Sequence, residues 1–474
     1  MDSLAQARSL NQNTFAARWS STENNANNAW NFNFNNGNTN NNNKNNTNYV
    51  RAVRASSTKT DTSGCKPRGF YMQLNLFQNQ NLAGDFDVSI EEVFEAYLLC
   101  RRNKRKTMNA LAFESDYECR LLALYEELKS GAYQPGRSIA FVVDKPVKRE
   151  IFAADFKDRV VHHLLINKLN PLFEKTFIED SYACRPGKGT HYGIQRIFEF
   201  IKSCSDGYRT DCYILKLDIQ GFFMHIDRSV LFNRLRFFIQ EQVVKEQADF
   251  LVDLSRKIIY NDPTKNCYIK GMRSNWVGLP TSKSLFHSPF NCGLPIGNLT
   301  SQVFANFYMH AFDVFVKQEL GIACYGRYVD DFVLVHEDKN FLKSLIPVIN
   351  NFLRKKLKLT LHPNKIYCQH YSKGVTFLGT VLKPNRIYIA RRTKGNFYSR
   401  ITHFNKQIQQ GPVDKNYMRL FQSTVNSYLG ILKHYNTYRL RKKMVIIGFS
   451  AWWWNHFSVA GGYQKIVFRY RVVK

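Results

Sequence analysis

The sequence lacks the features that mark several common classes of protein. No stretch reaches the roughly 18 apolar residues that a membrane-spanning helix needs, and the polar N-terminus has no signal-peptide core. The ten cysteines are scattered, without any CxxC pair. We therefore expect neither a zinc ribbon nor a disulfide framework, and the cysteine usage favours a reducing cytosol.

Acidic residues are also scarce. The 474 residues include 37 Asp and Glu against 67 Lys and Arg, which gives a formal net charge of +30. Such an excess predicts a polyanionic partner, and nucleic acid is the usual one. The 37 Phe and 25 Tyr residues argue against a disordered chain of this charge. The length suggests roughly three domains.

The first 64 residues predict a low-complexity N-terminal leader. Between residues 24 and 48, sixteen of twenty-five residues are asparagine, which is poor in both helices and strands. The alternation of residue types in Ala29–Phe34 and in Tyr49–Arg54 is nevertheless typical of strands. Two interpretations stay open: a disordered tail, or a strand-rich fragment whose exposed positions have become asparagine.

From about residue 87 the pattern is that of a globular protein. Ser89 and Glu92 have the spacing of a capping box. Helices are predicted over three stretches, residues 115–129, 156–169 and 301–320. Tyr213–Ile219 is expected to form a buried strand, and Tyr325–His336 two short strands around a tight turn. Residues 261–289 look like a polar insertion.

Three aspartates stand out because they lie at the ends of apolar strands. Asp330 and Asp331 occupy the turn of the predicted hairpin, and Asp218 ends the other strand. An isolated acidic pair is more often a solvated turn, yet carboxylates beside apolar strands are costly unless water or a cation satisfies them. The second strand-end aspartate favours a site for Mg²⁺, which prefers hard oxygen ligands and substrate phosphates. Two such ions about 3.5–4 Å apart would promote in-line phosphoryl transfer.

The order of the motifs between residues 90 and 440 resembles that of the reverse transcriptases. The stretches similar to two fingers blocks are Lys148–Val161 and Ser181–Gly189. Those similar to palm motifs A and C are Leu217–Phe223 and Tyr328–Asp331. A further palm block is matched by His362–Lys365, and the primer-grip block by Phe377–Gly379. The resemblance implies an α+β right-hand polymerase. It would have N-terminal helices and fingers over residues 65–210, a ferredoxin-like palm over residues 211–394 with part of the fingers and the insertion, and a helical thumb over residues 395–474.

The resemblance also implies a metal centre. Asp218 and Asp330 would be ligands together with the carbonyl oxygen of Ile219, and Asp331 would be a further ligand or would support them. Mg²⁺ is the expected metal in a two-metal site, with Mn²⁺ as a substitute.

Further residues match the family's nucleotide-binding positions. Phe223 corresponds to the aromatic residue that blocks a ribose 2′-hydroxyl, although a core position is the competing interpretation. Arg159, Arg185 and Lys188 are candidates for triphosphate or template contacts, because cations neutralise charge on a transferring phosphoryl group; each could equally be a surface cation. Lys365 would protonate the leaving pyrophosphate or contact a phosphate.

The block Gly293–Gln302 points to a subfamily. It departs from the QGxxxSP pattern, since Ile296 stands where Gln is usual and Gln302 where Pro is usual. This form resembles the reverse transcriptases of diversity-generating retroelements, in which the block, including Gly297, lines the template–nucleotide pocket. Its altered residues accompany misincorporation opposite template adenines. Loss of a polar contact relaxes fidelity readily, because one geometric feature contributes only about 1–3 kcal/mol of discrimination.

The same resemblance implies partners and an origin. Residues 1 to about 55 would be a template repeat translated in frame with the polymerase. The partners would be an RNA template, a DNA or RNA primer, dNTPs and a small basic helical accessory protein, in a bacterial or phage-encoded, cytoplasmic setting without a membrane. The alternatives are a retron, group II intron or phage-defence reverse transcriptase, and a non-catalytic RNA-binding scaffold.

Overall fold

The computed structural model describes residues 88–102, 107–144 and 147–469, together with the backbone of three strands nearer the N-terminus. These strands belong to a unit of residues 1–82, and the rest of the chain forms a second unit. They pair antiparallel in the order β1–β2–β3, and they are β1 (Ala17–Glu23), β2 (Asn28–Asn33) and β3 (Thr39–Asn43). The strand predicted around Ala29–Phe34 is therefore confirmed. The strand predicted at Tyr49–Arg54 lies outside the described residues.

The second unit opens with helices. They are α1 (Ile90–Arg101), α2 (Met108–Glu114), α3 (Tyr117–Lys129) and α4 (Phe156–Thr176). The capping box of α1 is confirmed, because the Glu92 amide donates to Ser89 Oγ at 3.3 Å and the Ser89 amide to Glu92 Oε2 at 3.0 Å. The predicted end of α4 before Pro171 is wrong. The helix continues because its last turns pack in the core, where Phe173 is fully buried and stacks on Phe177 with ring centroids 5.5 Å apart.

A small sheet follows the N-terminal helices and corresponds to the expected fingers. Strands β4 (Ser138–Val143) and β5 (Arg149–Ala153) form an antiparallel hairpin. The helix α5 (Thr190–Cys204) lies later in the chain. A third strand of the same sheet, β7 (Cys267–Ile269), pairs parallel with β4. The order is thus β5–β4–β7, and the predicted insertion extends the fingers sheet by one strand.

The central sheet has the order β10–β6–β9–β8, with every neighbouring pair antiparallel. Its strands are β6 (Tyr213–Asp218), β8 (Tyr325–Tyr328), β9 (Asp331–His336) and β10 (Tyr367–His370). The helices of the palm lie in two connections between its strands. The connection from β6 to β8 contains α6 (Phe222–His225), α7 (Arg228–Gln242), α8 (Lys245–Tyr260) and α9 (Leu299–Val314). The connection from β9 to β10 contains α10 (Lys339–Leu357). This is a β-α-β-β-α-β arrangement, so the ferredoxin-like α+β palm is confirmed.

The C-terminal part has its own apolar core. A three-stranded antiparallel sheet precedes it, with β11 (Val375–Phe377), β12 (Thr380–Lys383) and β13 (Arg386–Ile389). Helices follow as α11 (Arg391–Gln410), α12 (Lys415–Leu432), α13 (Tyr438–Gly448) and α14 (Ala451–His456), and a hairpin ends the described chain with β14 (Phe457–Ala460) and β15 (Lys465–Phe468). The ring of Trp453 is fully buried and stacks on Phe421 with centroids 3.6 Å apart. Among the described helices, none is both long and apolar enough to cross a membrane.

Candidate active site

The three aspartates that the sequence singles out meet at one end of the palm sheet. Asp218 is the last residue of β6 and lies directly opposite Asp331, the first residue of β9. Asp330 precedes Asp331 in the two-residue turn between β8 and β9. Val329, the other turn residue, has a φ of 58°, which a β-branched side chain rarely adopts. The turn must therefore be held by contacts from outside it.

A buried ion pair supplies those contacts. Arg327 and Asp313 are both fully buried, and Arg327 Nε and Nη2 donate to the Asp313 carboxylate at 2.6 and 2.5 Å. The hydroxyl of Tyr325 donates to the same carboxylate at 2.7 Å. The remaining arm of the guanidinium, Nη1, donates to the carbonyl oxygen of Val329 at 2.9 Å. The charge pair thus fixes the backbone of the acidic turn.

Two lysines neutralise two of the three carboxylates. Lys365 Nζ lies 2.9 Å from both carboxylate oxygens of Asp218. Lys216 Nζ lies 3.0 Å from Asp331 Oδ1, as an ion pair without hydrogen-bond geometry. Lys216 and Asp218 share a face of β6 because they are two residues apart. Asp330 has no such ammonium partner among the residues that the structure describes.

The electrostatics of the turn favour an added cation. Burial and, second, the nearby charge of Asp218 raise the pKa of Asp330 from 3.8 to about 6. Burial also raises the pKa of Asp331, against the opposing effect of Lys216. Carboxylates that are this crowded and this poorly hydrated are stabilised in their charged form by positive charge.

The oxygen atoms at this site suit a divalent cation that keeps coordination positions free for water and substrate. Asp218 and Asp330 offer carboxylate oxygens, and the carbonyl oxygen of Ile219 accepts no hydrogen bond from the described part of the chain. Hard oxygen donors of this kind are the ligands that Mg²⁺ prefers, with water and substrate phosphate completing its shell. In residues 88–102, 107–144 and 147–469, no group of three or more His, Cys, Asp or Glu side chains is arranged to hold a metal ion by itself. Asp218 and Asp331 each contact a lysine ammonium group instead.

The block around Ile296 connects this centre to the fingers sheet. The Ile296 carbonyl accepts the Phe152 amide of β5 at 2.8 Å. Gly297 has a φ of +124°, and a Cβ there would lie 2.8 Å from Ile151 Cγ2. Both Ile296 and Phe223 pack against one apolar cluster, which consists of Ala140, Phe152, Met224 and Leu285. The structure therefore brings Phe223, Ile296 and Gly297 together, although the half-buried Phe223 ring also has the core contacts of the competing interpretation.

The other predicted cations have different surroundings. Arg185 is buried. Its Nε and Nη2 donate to the carboxylate of Glu174 at 2.9–3.1 Å, and its Nη1 donates to the carbonyl oxygen of Ser181 at 3.0 Å. Lys188 pairs with Glu179 at 2.9 Å and its side chain is only 10% exposed. Both cations are paired with acidic residues in the structure, and the triphosphate or template contacts that the sequence suggested for them stay predictions. A single sequence does not reveal which acid a cation will meet.

Arg159 and Gln302 remain accessible. Arg159 Nε donates to the Ala154 carbonyl at 2.9 Å, and the terminal nitrogens of the guanidinium have no acidic partner among the described residues. Gln302 is exposed in the first turn of α9, where its Oε1 lies 3.2 Å from Cys184 Sγ. Arg159 is thus still able to meet a phosphate, and Gln302 to meet a base or sugar.

Sequence reasoning missed four charged residues that organise this region. Lys216 could have been found, because strand alternation places it on the face of Asp218. The Arg327–Asp313 pair joins residues of a strand and a distant helix, and no spacing rule links them. Glu150 is buried on the fingers sheet and accepts from Trp276 Nε1 at 2.6 Å, from Ser284 Oγ at 2.8 Å and from the amide of Leu285. It fastens the insertion to the fingers.

Comparison with known proteins agrees with this geometry. Residues 145–382, just over half of the chain, match the family model for reverse transcriptase (RNA-dependent DNA polymerase). The chain belongs to the reverse transcriptase family, whose members are RNA-directed DNA polymerases and generally use divalent metal ions.

Relatives of the chain come from bacteria and from introns. Protein YkfC of Escherichia coli is 22% identical over 306 residues, which are 57% of this chain and 73% of that protein. The group II intron-encoded protein LtrA of Lactococcus lactis is 25% identical over 346 residues, 58% of this chain. The chain spans about half, 52%, of the length of LtrA. Among solved structures, telomerase from Candida albicans aligns with a TM-score of 0.39 and 11% identity, over 66% of this chain and 59% of that one.

Proposed function

We propose that the chain extends a primer 3′-hydroxyl with dNTPs on an RNA template, and that Asp218 and Asp330 form its catalytic metal site. The observation that carries the proposal is the register of the palm sheet, which sets Asp218 opposite Asp331 and places Asp330 in the adjoining turn. The family supplies the reaction class, and this geometry supports the choice of Asp218 and Asp330 as the residues that would perform it.

The metal ligands would be the carboxylates of Asp218 and Asp330 and the carbonyl oxygen of Ile219, with Mg²⁺ as the proposed ion and Mn²⁺ as a substitute. When bound, two such ions supply activation of the attacking hydroxyl and stabilisation of the leaving oxygen. Asp331 keeps its ion pair with Lys216 and orients the turn, or becomes an additional ligand. Lys365, which contacts Asp218 in the structure, would contact the pyrophosphate or donate a proton to it.

The nucleotide pocket would be bounded by Phe223, Ile296 and Gly297. The ring of Phe223 would exclude a ribose 2′-hydroxyl and so select dNTPs. Arg159 would approach the triphosphate with its terminal guanidinium nitrogens, which have no acidic partner in the described part of the chain, because cationic donors stabilise a transferring phosphoryl group. Gln302 would face the templating base from the first turn of α9. Arg185 and Lys188 would support the second fingers block from their ion pairs.

We further propose that the product is an adenine-mutagenised complementary DNA, made by a diversity-generating retroelement. The departures at Ile296 and Gln302 support this subtype, because Ile removes a polar contact beside the nascent pair. The asparagine-rich leader supports it too, if residues 1 to about 55 are a translated template repeat. A small basic helical accessory protein would then assist priming.

A group II intron-type reverse transcriptase is the second candidate. The match to LtrA over 346 residues favours it. Sequencing the complementary DNA made on a defined RNA template separates the two candidates. We expect errors concentrated opposite template adenines; errors spread evenly over the four template bases would rule out the diversity-generating subtype and leave the polymerase assignment intact.

A further inference from the structure

The second fingers block leaves the protein core at Cys184. The three residues before it, Ser181–Ala183, are buried, whereas Cys184 is exposed. Cys184 also has a φ of 54°, in the left-handed region that residues other than glycine rarely adopt. Backbone conformations of this kind persist only where neighbouring contacts impose them. The contacts on either side of Cys184 therefore have to hold it in place.

Asn306 fixes the buried part of this block against α9. Its Nδ2 donates to the carbonyl oxygen of Ala183 at 3.2 Å, and its Oδ1 accepts from Ser181 Oγ at 3.1 Å. Arg327 of β8 binds the same segment, because its carbonyl oxygen accepts the amide of Tyr182 at 2.9 Å. The same arginine fixes the backbone of the acidic turn. The chain that leads to Cys184 is thus tied to the proposed metal centre.

The thiol of Cys184 contacts Gln302, which lies one helical turn before Asn306 on α9. Cys184 Sγ lies 3.2 Å from Gln302 Oε1 and donates to it. Although the residue is exposed, partial burial of its sulfur raises the pKa of the thiol, so the sulfur keeps the proton that it donates. Gln302 Nε2 donates to none of the described residues. Its two N–H groups are therefore available to a ligand.

We propose that Cys184 is a positioning residue that sets which end of the Gln302 amide faces the template. The thiol holds Oε1, and Nε2 donates to an acceptor of the templating base or its sugar. Without the thiol the amide can rotate by about 180° and present its oxygen, which repels that acceptor. The proposal rests on the polymerase function, in which Gln302 faces the templating base, and adds the residue that orients this contact.

Extension by a single nucleotide on an RNA template, with the full-length chain, tests the proposal. We expect Cys184→Ala to lower kcat/KM for the matched dNTP by about 2- to 10-fold, as loss of one hydrogen bond predicts. The ratio of matched to mismatched kcat/KM should fall as well, because a mismatched pair moves the acceptor away from the amide. Cys184→Ser keeps a donor and should restore most of the loss. Unchanged kinetics in Cys184→Ala, or an equal loss in Cys184→Ser, would overturn the proposal.

Cys184→Gly separates positioning from folding. Glycine adopts a φ of 54° without strain, so this variant should keep its stability to chemical denaturation and still show the kinetic loss of Cys184→Ala. Full synthesis by Cys184→Gly would overturn the proposal. The matched control is Cys119→Ala, which removes another exposed thiol, from α3, and should leave kcat/KM unchanged. A loss there equal to that of Cys184→Ala would also count against the proposal.

A double-mutant cycle tests whether Cys184 acts through Gln302. Gln302→Ala should lower the matched kcat/KM at least as much as Cys184→Ala does. Adding Cys184→Ala to Gln302→Ala should then cause no further loss, because the side chain that the thiol orients is already gone. Losses that multiply in the double variant would mean that the two side chains act independently, and the proposal would be wrong.

Alkylation by iodoacetamide, followed by mass spectrometry of the Cys184 peptide, gives a readout that needs no catalysis. Gln302→Ala removes the acceptor of the thiol proton, so Cys184 should react faster while Cys119 reacts at its original rate. If the unsubstituted chain extends no primer but Cys184 reacts faster in Gln302→Ala, the orienting contact stands and the polymerase function fails. If extension proceeds and Cys184 reacts no faster, only the positioning proposal fails.

Discussion

Breaking the ion pair behind the acidic turn should both destabilise the protein and impair synthesis. In Arg327→Met the side chain keeps much of its length, but the Asp313 carboxylate remains fully buried without its cation. The Val329 carbonyl loses its donor at the same time. We expect the free energy of unfolding to fall by about 3–5 kcal/mol, which is the usual cost of removing one partner of a buried pair.

Chemical denaturation measures this loss, with Arg256→Met as its control. Arg256 pairs with Asp253 at 2.8 Å, but both side chains are largely exposed, at 58% and 42%. An exposed pair of this kind contributes about 1 kcal/mol or less. If Arg327→Met cost no more than Arg256→Met, the pair would not hold the turn and this reasoning would be refuted.

A double substitution separates stability from positioning. Arg327→Met with Asp313→Leu removes both buried charges, so stability should partly return. Synthesis should remain impaired in the folded double variant, because the Val329 carbonyl still lacks its donor. Full recovery of the maximal extension rate would show that the pair serves folding alone.

Three further predictions concern the pocket and the fingers. Gly297→Ala should destabilise by about 1–3 kcal/mol, because the residue combines a φ of +124° with close approach to Ile151. Burial raises the pKa of Asp158 from 3.8 to about 6, so its protonated form stabilises the fold at low pH and this contribution is lost as the pH rises to about 6. The unfolding free energies of the unsubstituted chain and Asp158→Asn should therefore diverge by about 3 kcal/mol across that window and then stay parallel. Phe223→Ala should raise incorporation of rNTPs relative to dNTPs, measured as the ratio of their kcat/KM values.

Each of these predictions has an outcome that contradicts it. Gly395→Ala is the control for the first, since Gly395 lies in the second turn of α11 and a Cβ there meets open space. This substitution should stabilise by about 0.5–1 kcal/mol, and equal effects at the two glycines would exclude backbone strain at Gly297. If the difference in unfolding free energy between the unsubstituted chain and Asp158→Asn stayed constant with pH, the pKa of this carboxyl would not be raised in the folded protein. An unchanged sugar preference in Phe223→Ala would leave that ring as a core residue.

The sequence predicts the palm better than its surroundings. Asp218 and Asp330 could be identified because apolar strands with a terminal acid are local patterns, and the sheet then brings them together. The continuation of α4 through Pro171 could not be predicted, because packing of Phe173 overrides the local signal. The surroundings of Arg185 and Lys188 depend on Glu174 and Glu179, and only the folded chain brings them into contact.

The strand in the insertion also could not be predicted from local sequence patterns. Residues 261–289 have no periodicity that predicts a strand, yet Cys267–Ile269 completes the fingers sheet. Parallel pairing with β4 joins residues far apart in the chain, and buried Glu150 holds the segment through side chains that no local pattern connects. Hydrophobic periodicity reports local structure, whereas this strand is defined by its partners.

The most direct test of the central claim is primer extension on an RNA template by Asp330→Ala, with Mg²⁺ present. Asp253→Ala serves as the control, because Asp253 lies on the surface of α8 and, among the described residues, pairs with the neighbouring cations Arg256 and Lys257. We predict that Asp330→Ala lowers the extension rate by at least about 100-fold, since a lost metal ligand removes several kcal/mol of transition-state stabilisation, while Asp253→Ala retains it. Full synthesis by Asp330→Ala would contradict the assignment of the palm aspartates as the catalytic centre.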